Sequence, residues 1–272
     1  MPHAPTIAEN LCPVVANAWV NAQYKYLEVT APPIALAVEP GQFFHLRCPA
    51  VGEDQPYLRR PMSVYHIDRS GGRIAFLYKV QGAGTRGLAS LKPGDVLDAF
   101  GPVGKGFKMS VPGGHLLIAG RGVGLATLAP LAASAREFGV RVSAILSARS
   151  VDLLMSEELL RSAGATVLTV TDEHATSHVD AVDALVREIH ARTPIDAFAI
   201  CGSNRLFLLL QRLGRELNIP GEVALEQRMG CALGMCYACV KPFRKGRDSD
   251  SLTYRRVCWD GPVFDLQEAV SW

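Results

Sequence analysis

The rhythm of apolar and polar positions changes twice along the chain. Over residues 19–29 the two classes alternate loosely, as a half-buried strand requires, until Ala31-Pro32-Pro33 breaks the run. Residues 42–47, 63–67 and 74–80 are further short apolar or alternating segments, and Pro40-Gly41 and Lys92-Pro93-Gly94-Asp95 are turn signals. Strands so short and so closely punctuated predict a small β-barrel or sandwich over residues 1–110. From His115 the period lengthens. A buried strand at 116–119 leads through a glycine-rich turn into a helix ending near Phe138. Strands at 142–146, 166–170 and 197–200 alternate with helices at about 152–163 and 179–191. That alternation predicts an open α/β parallel sheet of nucleotide-binding type over residues 111–221. Residues 222–272 follow neither rhythm and are rich in cysteine, as a small metal-held lobe should be.

Composition supports this division. The chain has 272 residues, enough for two compact domains with an appendage, and its 49% hydrophobic content can fill their cores. A net charge of +2 without long single-sign runs argues against a nucleic-acid surface or a basic membrane stretch. No charged-then-apolar leader opens the sequence, and no apolar run has the length of a membrane span. A cytoplasmic protein is expected. The histidines are dispersed, no G-x-S-x-G nucleophile motif occurs, and Lys241, Arg244, Lys245 and Arg247 read as a solvated basic loop.

Cysteine placement carries the first chemical signal. Cys12, Cys48 and Cys201 are scattered, as small core residues are. Cys231, Cys236, Cys239 and Cys258 instead follow the order C-x4-C-x2-C…C of plant-type 2Fe-2S ligation. Ferric ions are soft enough to prefer thiolates, and three ligands must come from one tight loop. Gly230, Ala232, Gly234 and Ala238 keep that loop free of bulk, so backbone N–H groups can reach the sulfurs. A structural zinc site would show paired knuckles, whereas here the fourth cysteine stands alone.

Arg59-Arg60-Pro61-Met62-Ser63 offers a guanidinium for a pyrophosphate and a hydroxyl for a ring edge. Gly82-Ala83-Gly84-Thr85 reads as a side-chain-poor loop where amides can approach phosphate. Each alone is also an ordinary strand edge or turn. Arg-Pro-x-Ser, then Leu77-Tyr78-Lys79, then Gly84-Thr85 together resemble the FAD-binding domain of the ferredoxin reductase superfamily. Residues 225–231 and 256–264, with 100–107, are similar to the electron-transfer subunit of class 1B dihydroorotate dehydrogenase, over nearly the whole chain. The resemblance implies a barrel that binds FAD, a sheet domain that admits NAD(H), and a 2Fe-2S lobe. It also implies a hetero-oligomer with an FMN-containing catalytic dehydrogenase subunit. Carried over by position, Arg60, Pro61, Met62, Ser63, Leu77, Tyr78, Lys79, Gly84 and Thr85 line the FAD.

Gly120-Arg121-Gly122-Val123-Gly124 follows a predicted strand and opens a helix, the context of a phosphate-binding turn. Gly120, Gly122 and Gly124 are its candidate contacts. Cys201-Gly202-Ser203 resembles the superfamily's Cys-Gly-Pro motif beside the nicotinamide, and reads equally as a buried cysteine before a glycine. Several positions depart from the family pattern. Arg121 intrudes among the glycines, Ala126-Thr127 replaces the expected prolines, and residues 172–177 lack glycine. Arg121 either crowds the phosphate turn or reaches over it to bind phosphate, and with the glycines missing near His174 a weak reaction with NADH is expected. Two other readings therefore stand beside the electron-transfer subunit: a stand-alone NAD(P)H:ferredoxin-type reductase, and a docking subunit without nicotinamide exchange.

Overall fold

The computed structural model describes residues 6–108, 113–247 and 249–271. The expected boundary at 110–111 lies outside the described residues. Strands β1 (Ala8–Trp19), β2 (Tyr24–Thr30), β3 (Phe43–Leu46), β4 (Arg60–Ser63), β5 (His66–Asp68), β6 (Arg73–Lys79) and β7 (Val96–Val103) form one antiparallel sheet. Its order is β4-β3-β7-β1-β2-β6-β5. The two edge strands, β4 and β5, are neighbours in the chain, joined only by Val64 and Tyr65. Val64 donates its N–H to Gln42 on one side, and Tyr65 donates to Ala75 on the other. The sheet therefore curls back on itself as a half-barrel.

Alternation along β6 sends Ile74, Phe76 and Tyr78 into the barrel core, where Phe44 meets Phe76 edge-on at 5.7 Å. Leu77 points the other way, toward Ala126 and Ala129 of the next unit. Two elements differ from the sequence expectation. Strand β1 begins at Ala8, because buried Asn10, which breaks the hydrophobic alternation, donates its amide to Ala99 and Gly101 carbonyls at 2.9 and 3.0 Å. The segment expected as a glycine loop at 82–85 opens helix α2 (Ala83–Ser90), which follows the short α1 (Pro33–Leu36). Thr85 makes that start possible, its hydroxyl accepting from the Gln81 and Gly82 N–H groups.

The second unit is β8 (His115–Arg121), α3 (Gly124–Glu137), β9 (Arg141–Ala148), α4 (Glu157–Ser162), β10 (Thr166–Thr171), α5 (Val179–Arg192), β11 (Ala197–Cys201), α6 (Asn204–Glu216) and β12 (Gly221–Ala224). Its strands run parallel in the order β10-β9-β8-β11-β12. Strand order reverses between β8 and β11, and open α/β sheets bind ligands at that switch point, beyond the strands' C-terminal ends. The helix expected over 152–163 is split: a 3-10 turn at Val151–Leu153 precedes α4, with Ser156 in a left-handed conformation between them.

The last lobe holds β13 (Val240–Arg244), β14 (Leu252–Arg256), α7 (Val257–Asp260) and β15 (Val263–Asp265). Strand β15 pairs antiparallel with β12 and becomes the sixth strand of the parallel sheet. Phe243 and Phe264, 4.3 Å apart, join Phe198, Phe207 and Leu213 in one core shared by lobe and sheet. The basic stretch expected as a loop is thus partly strand. Arg244 donates to the Gln267 carbonyl and Arg247 to the Gly214 carbonyl, so both stitch the lobe down. Among the described residues no helix is long and apolar enough to cross a membrane.

Candidate functional site

A cavity of about 670 Å³ opens between the half-barrel and the start of α3. The barrel contributes Arg60, Pro61, Met62 and Ser63 from β4, Leu77, Tyr78 and Lys79 from β6, and Thr85 from α2. Val123, Ala126 and Thr127 face them from α3, and residues 225–229 close the third side. Arg60 and Gly84 come together although far apart in sequence. A Cβ on Gly84 would lie 2.7 Å from Arg60 Nε, so the bare glycine lets the Arg60 side chain pack closely against the first turn of α2. A cation above a helix N-terminus with unpaired N–H groups suits a pyrophosphate. Arg59 is committed elsewhere: it is bidentate to Asp98, both bonds 2.7 Å, and reaches Glu9 at 2.6 Å. Volume, apolar walls and this cationic end fit a flavin dinucleotide.

At the sheet side of the cavity the Thr127 hydroxyl donates to Ser63 at 2.9 Å, and the Cys201 thiol lies beside Thr127. Burial, with Glu226 nearby, pushes that thiol well above its ordinary range. Glu226 is open to the cavity yet enclosed by protein around it, and this enclosure raises its carboxyl above the usual carboxylate value. Neither Thr127 nor Glu226 was given a place in the site from sequence. They face Ser63 only because the switch point brings α3, β11 and the chain after β12 together.

The glycine turn after β8 lies at the same switch point. Gly120 ends in β8, Gly122 occupies the turn, and Gly124 opens α3. A Cβ on Gly124 would sit 2.5 Å from the Cys201 carbonyl, so this glycine lets α3 press against the end of β11. Arg121 does not cover the turn. Its guanidinium is bidentate to Asp172, at 2.6 and 3.2 Å, and donates to Ser147 at 2.8 Å. Hydrogen bonds from Arg121 and then Ser177 hold Asp172 at about 2. The crowding expected from Arg121 is therefore absent. A smaller recess of about 210 Å³ beside the turn is lined by Tyr24, Lys79, Arg121 and Arg149.

The four C-terminal cysteines are gathered by the β13–β14 hairpin. Val240 pairs with Arg256, which sets Cys239, just before β13, against Cys258, just after β14. The Cys258 N–H reaches the Cys239 sulfur at 3.4 Å. The hairpin thus accounts for the long gap before the lone fourth cysteine. In the loop, Cys231 sulfur accepts N–H groups of Leu233, Met235 and Cys236 at 3.3 to 3.4 Å. Partial burial raises this thiol, but those bonds and the Cys236 thiol outweigh it and hold it at about 7. Cys258 is pushed up to about 12 by burial and by the Cys239 thiol beside it. The donors therefore form two pairs, Cys231 with Cys236 and Cys239 with Cys258. Two thiol pairs suit the two irons of a 2Fe-2S cluster.

Backbone strain and an ion pair shape this loop. Ala232 and Tyr237 are left-handed at φ 59° and 58°, a conformation costing about 1–2 kcal/mol in a non-glycine residue. Arg256 binds both Asp260 oxygens at 3.1 Å, donates to the Gly234 carbonyl at 3.2 Å, and stacks over Tyr237. Sequence reading had not assigned that clamp.

Known proteins match this architecture. A family model for the iron–sulfur cluster binding domain of dihydroorotate dehydrogenase B matches residues 226–270. The chain is 34% identical to a dihydroorotate dehydrogenase B (NAD(+)) electron transfer subunit of Desulforamulus reducens, covering 94% of this chain and 96% of that one. It is 35% identical to the subunit of the same name in Bacillus cereus, over 85% and 87%. A solved structure of NADH-dependent reduced ferredoxin–NADP oxidoreductase superposes with a TM-score of 0.79, at 26% identity, covering 98% of this chain and 91% of that one. The ferredoxin reductase of carbazole 1,9a-dioxygenase shares the fold, with a TM-score of 0.60 at 21% identity over 80% and 67%. With its half-barrel, switch-point cavity and paired cysteines, the chain belongs to the family of dihydroorotate dehydrogenase B electron transfer subunits.

Proposed function

We propose that this chain moves electrons between NAD(H) and a dihydroorotate-oxidising partner subunit, through FAD and a 2Fe-2S cluster, within pyrimidine biosynthesis. In this reading residues 1–110 hold FAD, 111–221 admit the nicotinamide dinucleotide, and 222–272 hold the cluster. Continuity carries the reading: residues 226–229 line the flavin-sized cavity, and the same stretch runs directly into Cys231. Bound FAD would supply the exchange between two-electron nicotinamide chemistry and one-electron transfer to the cluster.

The chain's own residues bind and orient. Arg60 and the first turn of α2, with Gly84 and Thr85, take the pyrophosphate, while Pro61, Met62, Leu77, Tyr78 and Lys79 bound the rest of the dinucleotide. Ser63 stands at the ring edge, with the Thr127 hydroxyl donating to it. Gly120, Gly122 and Gly124 admit the nicotinamide dinucleotide beside them, and Cys231, Cys236, Cys239 and Cys258 ligate the cluster. Leu233, Met235, Tyr237 and Trp259 form an exposed apolar rim around the cysteine loop, which suits a catalytic FMN-containing subunit. Cys12, Cys48 and Cys201, the cysteines outside the cluster, are buried free thiols, which fits a reducing cytoplasm.

Anaerobic purification with an absorption spectrum, iron and sulfide assays, and identification of copurifying protein tests the reading. FAD, two irons per chain, bleaching by NADH and an FMN-containing partner are expected. Bleaching without a partner would favour the stand-alone reductase, and a flavin inert to NADH would favour the docking subunit.

A further inference from the structure

Two hydroxyls from two separate segments meet at one wall of the cavity. Ser63 ends β4 and Thr127 lies one turn into α3. Thr127 is 4% exposed. A buried threonine in a helix usually turns its hydroxyl back to a carbonyl of the preceding turn. Here it reaches out of the sheet domain and donates to the barrel's Ser63 at 2.9 Å.

A hydroxyl owns one proton, and Thr127 gives its proton to Ser63. Ser63 already accepts from Thr127 and retains a proton of its own. Among the described residues no acceptor takes that proton, and the direction left to it is the cavity.

We propose that Thr127 is a positioning residue which, by donating to Ser63, commits the Ser63 proton to the cavity and makes Ser63 a fixed donor to the flavin ring. The proposal rests on the flavin placement given above. Reduction adds electron density to the ring, so a pre-aimed donor favours the reduced form over the oxidised one. Where the expected family residue is proline, no such donor exists, so the device belongs to this chain's own departure at Ala126-Thr127.

The test is a spectroelectrochemical titration of the purified full-length flavoprotein, with FAD content measured in parallel. Thr127→Val is nearly isosteric and lacks the donor, Thr127→Ala removes it without bulk, and Thr127→Ser keeps it. We expect Val and Ala variants to hold FAD at the parent ratio but lower its potential. The shift should correspond to about a three- to tenfold loss of preference for reduced over oxidised flavin, the scale of one neutral hydrogen bond. Thr127→Ser should restore the parent potential. Ser63→Ala should lower it at least as far, and adding Thr127→Val to Ser63→Ala should change nothing more. Parent potentials in both donor-less variants, or additive shifts in the double variant, overturn the proposal alone. A parent chain that binds no FAD overturns the flavin placement and this proposal with it.

Discussion

In the cysteine loop three of the four donors fall within nine residues, whereas the cavity wall is gathered from segments as distant as Arg60 and Glu226. The loop concentrates its donors by accepting strain at Ala232 and Tyr237 and by fastening Gly234 through Arg256. The cavity stores no comparable strain. Its parts are ordinary strand ends and helix starts that acquire a purpose only when the barrel meets the switch point. Sites of the first kind should fail outright when one member is lost, and sites of the second kind should weaken by degrees.

The largest expected effect breaks the loop. Cys236→Ser should abolish the cluster while FAD stays bound, because the ligand pair with Cys231 is lost and the cavity is not touched. Iron and sulfide assays beside flavin content decide this; two irons retained per chain would remove Cys236 from the ligand set. Next in size, Arg60→Ala removes a charge-assisted contact of about 1.5–3 kcal/mol. FAD affinity should fall roughly ten- to a hundredfold, as equilibrium dialysis would register. Arg59→Ala should leave the affinity within about twofold, because that guanidinium is spent on Asp98 and Glu9. Equal losses in the two variants would erase the contrast drawn between them.

The seam between the two regions offers a smaller test. Glu222 on β12 sits opposite Asp265 on β15, and burial raises its carboxyl from 4.5 to about 7 despite the Lys108 N–H it accepts. A raised folded value means the protonated form is the stable one. That contribution is full below about pH 4.5 and is lost as pH climbs through 7. Glu222→Gln should therefore raise stability at pH 8 by about 1–3 kcal/mol and leave it unchanged near pH 4. Thermal unfolding at the two pH values measures both, and a gain at pH 4 alone would reverse the sign. Smallest of all, Ala232→Gly relieves left-handed strain but gives up a fully buried methyl. These effects oppose each other at about 1 kcal/mol each, so denaturant midpoints should barely move.

The same contrast explains what the sequence made legible. The cysteine spacing needed no knowledge of the fold, since its chemistry is local. Arg60 and Gly84 were readable as separate fragments, but their contact depends on barrel closure through Val64 and Tyr65. Thr127, Cys201 and Glu226 belong to three elements with no common spacing, and no pattern along the chain unites them. Two misses were avoidable. Helix α6 announces itself through Ser203, which caps it, and through an apolar repeat over Leu206, Phe207, Leu210 and Leu213. At 82–85 the glycines drew attention away from Thr85, whose hydroxyl is the signal for a helix start.

Strand β15 has a consequence for how this protein can be taken apart. A cluster lobe that hung from a tether would be a cassette, removable or exchangeable between proteins at a linker. This lobe instead lends its last strand to the outer edge of the parallel sheet, at β12. Excising it uncovers the backbone of β12 as an open edge, the kind of surface on which sheets of different molecules pair and aggregate. Recombination that respects the fold must therefore cut within the sheet or leave β15 behind as a patch. The iron-binding segment is, in engineering terms, a keystone of the neighbouring domain rather than an accessory to it.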